Sequence, residues 1–124
     1  MLSAISRIPV RFIIEGIGEA EGVITKVSAP LTVEAILKNM PLEGRAHPSS
    51  GGVVFGVGLR RGEEKSKRSV EAGTVAYWPM SDSIYIFHSK TTSYSPVNVI
   101  GRITKNLELF KTLRGGAQVR VQRI

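Results

Sequence analysis

Apolar and polar residues alternate along much of the chain, a pattern that predicts β-strands with one face turned inward. In segment 8–15, Val10, Phe12 and Ile14 lie on one side of the predicted strand, because strand side chains point alternately to the two faces. The same period of two recurs in segment 117–123. Further strands are predicted for residues 20–28, 53–59, 69–71, 74–78, 84–88 and 97–103.

Two segments have the residue types of short helices. After Thr32, a favourable N-cap residue, apolar residues recur at i, i+3, i+4 and i+7. These residues are Val33, Ile36, Leu37 and Met40. We interpret this stripe as a plug for one end of a barrel rather than as a face for a partner, and we expect the helix to end at Pro41. A second short helix is predicted for residues 106–113.

Residues 44–52 and 90–96 are mostly polar, and we expect both segments to be loops. The eight strands predicted above are enough to close a small barrel with a filled interior. The predicted fold is therefore mainly β: a closed eight-stranded antiparallel barrel with two short capping helices, built as one domain from residues 1–124.

Aromatic residues concentrate in a predicted hairpin around the only tryptophan. On its second strand, Ile84, Ile86 and His88 share one face, and Tyr85 and Phe87 share the other. A histidine side chain favours a face that is partly accessible to solvent, and His88 shares its face with the two isoleucines. We therefore expect the isoleucine face to line an open groove and the aromatic face to point into the barrel. The alternative, that His88 only marks the solvent end of the strand, stays open.

The chain has a formal net charge of +7 and an isoelectric point near 10.2, which favours acidic partners. A basic cluster is formed by Arg60, Arg61, Lys65, Lys67 and Arg68. Two glutamates interrupt this cluster, and we interpret it as a solvated hairpin tip. Nucleic-acid binding is disfavoured, because the cluster lacks the interleaved aromatic residues of single-strand platforms.

The absence of cysteine excludes disulfides, thiolate metal sites and cysteine nucleophiles, and it makes the cytoplasm the default location. No secretory segment or bilayer-spanning apolar run is present, so no membrane partner is predicted. Only five residues are asparagine or glutamine, a scarcity typical of thermophilic proteins.

The residues for catalysis are few. Asp82, the sole aspartate, and Ser83 lie in a predicted turn about five residues from His88, so we do not expect them to form a nucleophile, base and orienter. Two histidines without ligand spacing do not indicate a metal site. We predict no catalytic residue, no metal and no cofactor.

Three segments follow a known order. Residues 23–37 contain a strand that runs through Ala-Pro-Leu-Thr into a helix, residues 83–87 contain a polar and aromatic strand, and residues 97–103 precede the second helix. This order resembles the cyclophilin fold. Three motifs are similar to those of small microbial cyclophilin-like proteins without assigned function: Pro-Leu-Glu-Gly-Arg-Ala at 41–46, Gly-Thr-Val-Ala-Tyr-Trp-Pro at 73–79 and Pro-Val-Asn-Val-Ile-Gly at 96–101.

The resemblance implies a groove beside the central hairpin, completed by Phe55, by Tyr77 or Trp78, and by Tyr94. With the isoleucine face, the expected groove residues are Phe55, Tyr77, Trp78, Ile84, Ile86, His88 and Tyr94. The alternative, that Phe55 and Trp78 are buried core aromatics, stays open.

Departures from the resemblance bear on function. Catalytic cyclophilins carry an arginine in a Phe-His-Arg segment, and the corresponding residues 50–55 contain none. We therefore favour a noncatalytic binding module whose groove accepts an unknown peptide or small molecule. A peptidyl-prolyl isomerase without the usual arginine and weak nucleic-acid binding through the basic cluster are the alternatives. Whether the chain forms a homodimer is left open, because no residue indicates an interface.

Overall fold

The computed structural model describes residues 7–124, which form nine β-strands, one α-helix and two 3₁₀ turns. The strands are β1 (Arg7–Ile14), β2 (Gly18–Thr25), β3 (Leu42–Ser49), β4 (Gly52–Gly56), β5 (Lys67–Val70), β6 (Thr74–Trp78), β7 (Ser83–Phe87), β8 (Thr91–Lys105) and β9 (Ala117–Arg123). The helix, α1, spans Pro30–Lys38, and the 3₁₀ turns span Pro79–Ser81 and Leu107–Lys111. Within the described residues, no helix has the length and apolar character needed to cross a membrane.

Eight strands close into an antiparallel barrel in the order β2-β1-β9-β3-β4-β7-β6-β8, and the pairing of β2 with β8 completes the circle. The two backbones approach closely at this seam. A Cβ atom on Gly101 would lie 2.1 Å from the carbonyl oxygen of Val23, so a larger residue would force the strands apart. The predicted closed, eight-stranded antiparallel barrel is confirmed.

The alternating apolar residues fill the barrel interior. Val10, Phe12 and Ile14 of β1 are buried there, as the period of two predicts. Helix α1 adds Val33 and Ile36 to the same core, which confirms its role as a plug at one end. These buried side chains leave the barrel interior filled by the protein itself.

A second, smaller core lies outside the barrel. Strand β5 pairs with residues 91–97 of β8, and we call these two segments the β5–β8 arm. Val70 and Val97 of the arm pack with Tyr85 and Phe87, which belong to the outer face of β7. The rings of Tyr85 and Phe87 stack with centroids 4.0 Å apart. The arm therefore covers the outer face of the central hairpin.

The expectation of a loop at residues 44–52 is wrong, because most of this segment belongs to β3, which pairs with β4 and β9. Within β3 only Leu42 and Ala46 are buried, while Glu43 and Arg45 are exposed. Two small or medium apolar side chains among polar ones give a weak alternating pattern, so the backbone pairing on both sides determines this strand.

Two further expectations differ from the structure. Residues 90–96 were expected to form a loop, but from Thr91 onward they belong to β8, because β5 supplies their pairing partner. The second helix is only the 3₁₀ turn Leu107–Lys111. Asn106 precedes it with φ of 65° and donates its side-chain amide to the carbonyl oxygen of Glu19, which turns the chain sharply. One helix, rather than two, caps the barrel.

Candidate functional site

The connection between β4 and β5, residues 57–66, has no helix or strand and leaves most of its side chains exposed. We call it the β4–β5 loop. Its backbone is unusual: Gly58, Arg60 and Lys65 have φ values of 72°, 53° and 46°. Positive φ is uncommon for residues other than glycine, and it persists where surrounding contacts hold the chain. Four side chains make those contacts: Asp82, Tyr77 and Asn98 from outside the loop, and Glu64 from within it.

Asp82 fastens the first half of the loop. Its Oδ1 accepts hydrogen bonds from the backbone N–H groups of Leu59 and Arg60, at 3.0 and 2.9 Å, and from the Tyr77 hydroxyl at 2.6 Å. The Tyr77 oxygen in turn accepts the N–H of Arg61 at 3.0 Å. Three consecutive loop residues are therefore tied to β6 and to the turn that follows it.

This arrangement shifts the acidity of both side chains. Burial acts to raise the pKa of Asp82, but the hydrogen bonds from Tyr77, Arg60 and Leu59 and the charge of Arg60 outweigh burial, so this pKa lies below its usual value. Burial, with the hydrogen bond to Asp82, raises the pKa of Tyr77 to about 12. At neutral pH the aspartate is charged and the tyrosine is protonated, as their hydrogen bond requires.

Glu64 fastens the second half of the loop to α1. Its carboxylate accepts the N–H groups of Leu31 and Thr32 at 2.9 and 2.8 Å and the Thr32 hydroxyl at 2.8 Å. Buried Asn98 donates to the Gly62 carbonyl at 2.9 Å and accepts the N–H of Glu64 at 2.9 Å. The expected N-cap at Thr32 is wrong, because the helix begins at Pro30 and Glu64 supplies the acceptor for its first N–H groups.

Arg61 stands between three adjoining depressions of about 480, 280 and 120 Å³. The largest is lined by Arg61, Gly62, Glu63, Pro79, Met80, Ser95 and Pro96. The other two extend along α1 and add Leu31, Thr32, Glu34, Ala35, Lys38, Asn39, Leu59 and Glu64. We call this surface the Arg61 groove. Two of its lining residues are large exposed apolar side chains: Leu31 is 62% exposed and Met80 is 65% exposed.

Four of the expected groove residues lie inside the barrel: Phe55, Tyr77, Ile84 and Ile86, which are 0–1% exposed. The expected facing of β7 is reversed. Ile86 pairs with Val53 of β4 and Val75 of β6, both interior residues, so its strand face points inward. His88 lies beyond the end of β7 at Phe87, so its polar character does not indicate which face of the strand is exposed.

The remaining three expected residues are separated from one another. Trp78 is half-buried beside Tyr85 and donates its indole N–H to Ser95, which lines the Arg61 groove. His88 is half-buried; burial and the nearby charge of Lys111 lower its pKa. Tyr94 is 81% exposed on the β5–β8 arm. Of the seven residues, Trp78 and Tyr77 are hydrogen-bonded to groove residues, Trp78 to Ser95 and Tyr77 to the backbone of Arg61.

The expectation of a hairpin tip for the basic cluster is wrong, because β4 and β5 are not paired with each other. The cluster is split between two elements. Arg60, Arg61 and Lys65 belong to the β4–β5 loop, while Lys67 and Arg68 belong to β5. All five are exposed, and Arg68 donates to the carbonyl oxygen of Ser93. Only Arg61 lines the groove. In the sequence, charge alone distinguishes Arg61, and Pro79 and Pro96, which line the same depression, are distant from it along the chain.

The candidate catalytic side chains have separate partners. Asp82 is engaged by the loop and Tyr77, the Ser83 hydroxyl donates to the Ser81 carbonyl at 2.9 Å, and His88 Nδ1 lies 2.9 Å from the Ser89 hydroxyl. Among residues 7–124, no three histidine, aspartate or glutamate side chains are grouped as metal ligands. Asp82, Ser83 and His88 therefore bond to other groups and not to one another.

The comparison with family models covers nearly the whole chain: the model named Cyclophilin-like matches residues 8–122. The chain belongs to the Cyclophilin-like family. The hypothetical protein AF2241 from Archaeoglobus fulgidus, known from a solution structure, is 32% identical over 100% of both chains, with a TM-score of 0.83. The resemblance to small cyclophilin-like proteins without assigned function is thus confirmed.

A more distant structural match is McbB, which was solved in complex with tryptophan. The two chains are 13% identical, and the match has a TM-score of 0.77. It covers 92% of this Cyclophilin-like chain and 44% of the McbB chain. At this identity the match shows a shared fold. Among curated proteins there is no match to the sequence.

Proposed function

We propose that this protein is a noncatalytic binding module and that its Arg61 groove binds an extended peptide bearing a carboxylate between apolar side chains. The observation that carries the proposal is the arrangement of three depressions around Arg61, with exposed Leu31 lining two of them and exposed Met80 lining the third. Concave surfaces with apolar contacts and a few polar groups are the usual form of a ligand site.

Arg61 lines all three depressions, and its positive charge favours a ligand carboxylate beside it. Arg61 has exposed Arg60 as its sequence neighbour, and no carboxylate among residues 7–124 forms an ion pair with either guanidinium. An arginine side chain donates two parallel hydrogen bonds to a carboxylate, which fixes both the position and the orientation of the ligand. Glu34, Glu63 and Glu64 also line the groove, whereas Arg61 and Lys38 are its cationic residues. The groove therefore has no excess of positive charge, and it disfavours a ligand with a second negative charge close by.

The fastening of the loop supports binding energetically. Asp82, Tyr77, Asn98 and Glu64 already satisfy backbone groups of the β4–β5 loop, so the groove wall is ordered before a ligand arrives. A pre-ordered wall loses little conformational entropy on binding. This fastening is the reason that we place the ligand against an irregular loop rather than against a strand.

The test uses three blocked peptides, acetyl-Leu-Ala-Xaa-Ala-Leu-amide, in which Xaa is glutamate, glutamine or lysine. Binding is followed by the fluorescence of Trp78, the only tryptophan, and by amide chemical shifts of Arg61, Gly62 and Ser95. We expect the glutamate peptide to bind most tightly and Arg61→Gln to weaken it about tenfold. Arg60→Gln removes the same charge from a residue that does not line the groove, and it should change the affinity less than about twofold.

Equal affinity for the three peptides, or shifts confined to residues outside the groove, would contradict the proposal. The same protein samples separate the alternatives. A prolyl isomerase must accelerate the cis–trans exchange of a proline-containing peptide at stoichiometric concentration. A nucleic-acid binder must bind a single-stranded oligonucleotide with an affinity that falls steeply as salt rises.

A further inference from the structure

A second depression, of about 230 Å³, lies on the outer surface where β2, β8 and β6 meet. Its lining residues are Arg7, Val23, Thr25, Ser28, Thr74, Val99, Gly101 and Arg102. Thr74 begins β6, whereas the Arg61 groove lies beyond Trp78 at the other end of that strand. The two concave surfaces are therefore separate, and an inference about this one is independent of the proposed peptide function.

The polar lining of this depression is entirely suited to an anion. Two arginines and three hydroxyl groups line it, and no acidic residue does. Neither Arg7 nor Arg102 forms an ion pair with a carboxylate among residues 7–124, where Arg11, Lys90 and Arg120 do so. Residues 1–6 contain no acidic side chain. The chain has ten carboxylate side chains, all among residues 7–124, and none of them forms an ion pair with Arg7 or Arg102. Both guanidinium groups are therefore available to an external anion.

The strand register brings these groups together from distant parts of the chain. Arg7 of β1 pairs with Thr25 of β2, and Thr74 of β6 pairs with Arg102 of β8, so each arginine has a hydroxyl directly across from it. Gly101 joins the two pairs, because its missing side chain lets β2 and β8 meet at the barrel seam. Its bare backbone also forms part of the floor.

We propose that this depression is a binding site for the phosphate group of a small phosphate monoester. Arginines donate bidentate hydrogen bonds to phosphate oxygens, and serine and threonine hydroxyls supply further donors. Val23 and Val99 provide an apolar surface beside the charged groups, which suits an organic body attached to the phosphate. The volume of about 230 Å³ suits a small molecule.

The test is a titration with inorganic phosphate, phenyl phosphate and benzyl alcohol, followed by amide chemical shifts of the lining residues. We expect saturable shifts at Thr25, Thr74 and Gly101 with both phosphates, and about tenfold tighter binding of phenyl phosphate, since its ring can lie on the two valines. Benzyl alcohol should bind much more weakly, because it offers no charge to the arginines.

Arg102→Gln should weaken phenyl phosphate binding at least about tenfold, and Thr74→Val, which keeps the side-chain shape, about threefold. Arg120→Gln is the matched control: it removes one exposed arginine of β9 and should leave the affinity unchanged. An equal loss in Arg102→Gln and Arg120→Gln, or no saturable shift up to about 10 mM, would overturn the proposal. Binding to vesicles containing phosphatidic acid without binding to phenyl phosphate would also overturn it, because the phosphate would then be membrane-borne.

Discussion

The outer face of β7 and the β4–β5 loop are ordered by different interactions. Tyr85 and Phe87 of β7 are held by aromatic stacking and by the apolar residues of the β5–β8 arm. The loop is held by carboxylate, hydroxyl and amide groups that bond its backbone. The first region is closed to ligands, and the second keeps a concave surface open beside Arg61.

The difference shows which residue types accompany a buried surface and which accompany an open groove. Dense aromatic residues accompany burial here, because large apolar side chains gain most when water is excluded. The open groove coincides with polar side chains that are used to hold irregular backbone. Asp82, the sole aspartate, is one of these side chains, because it accepts hydrogen bonds from two loop N–H groups.

The largest expected effect belongs to the closed region. Phe87→Ala should lower the free energy of unfolding by about 3–5 kcal/mol, because a fully buried ring leaves a cavity in the second core. Tyr94→Ala is the control, since its ring is 81% exposed, and it should change stability by less than about 0.5 kcal/mol. Urea unfolding measures both. Similar losses for the two variants would mean that the arm does not seal this face.

The next effect concerns the open region. Asp82→Ala removes the acceptor for two loop N–H groups and the Tyr77 hydroxyl, and we expect a loss of about 3 kcal/mol together with loss of peptide binding. Asp82→Asn should lose about 1 kcal/mol, because asparagine tolerates φ of 49° and retains one carbonyl acceptor. If Asp82→Ala kept full peptide affinity, the loop fastening would have no part in the groove.

The smallest expected effect is a dependence of the free energy of unfolding on pH. The pKa of Glu64 lies below its ordinary value of 4.5: burial opposes this shift, and the hydrogen bonds from Leu31 and Thr32, with the charge of Lys65, outweigh burial. The unfolded chain therefore takes up the proton first. The stabilisation by Glu64 is complete above about pH 4.5 and disappears as the pH falls through the pKa of the folded state.

Unfolding midpoints between about pH 6 and about pH 3 measure this dependence. Glu64→Gln should show a smaller decrease over that range than the wild type, because glutamine does not titrate. Glu63→Gln is the matched control at the adjacent position, where the carboxylate accepts a side-chain hydrogen bond from Ser66. Parallel curves for wild type and Glu64→Gln would show that the cap at α1 adds no pH-dependent stability.

Much of the barrel could be predicted from the sequence, since β1, β9 and α1 have strong periodic patterns that match their buried faces. Strand β3 could not, because its inward positions are occupied by few large apolar residues and its partners are distant in sequence. The facing of β7 was unpredictable for a related reason. Both of its faces are buried, one in each core, so apolar character does not distinguish them.

The candidate site depended still more on distant contacts. Glu64 bonds the start of α1 from 32 and 33 positions away in sequence, and Asn98 reaches the loop from 34 and 36 positions away. No local pattern encodes such pairs. The composition and charge cluster identified Arg61 as basic, but only the folded chain brings it between Leu31 and Met80.

The arrangement of β5 has a consequence for association between molecules. Barrel closure leaves its eight strands paired on both sides, whereas β5 ends the sheet and has one unpaired side within the part of the chain that the structure describes. This strand is only four residues long and begins with two positive charges, Lys67 and Arg68. A foreign strand that approached this border would meet a short, charged template, which discourages aggregation through sheet extension.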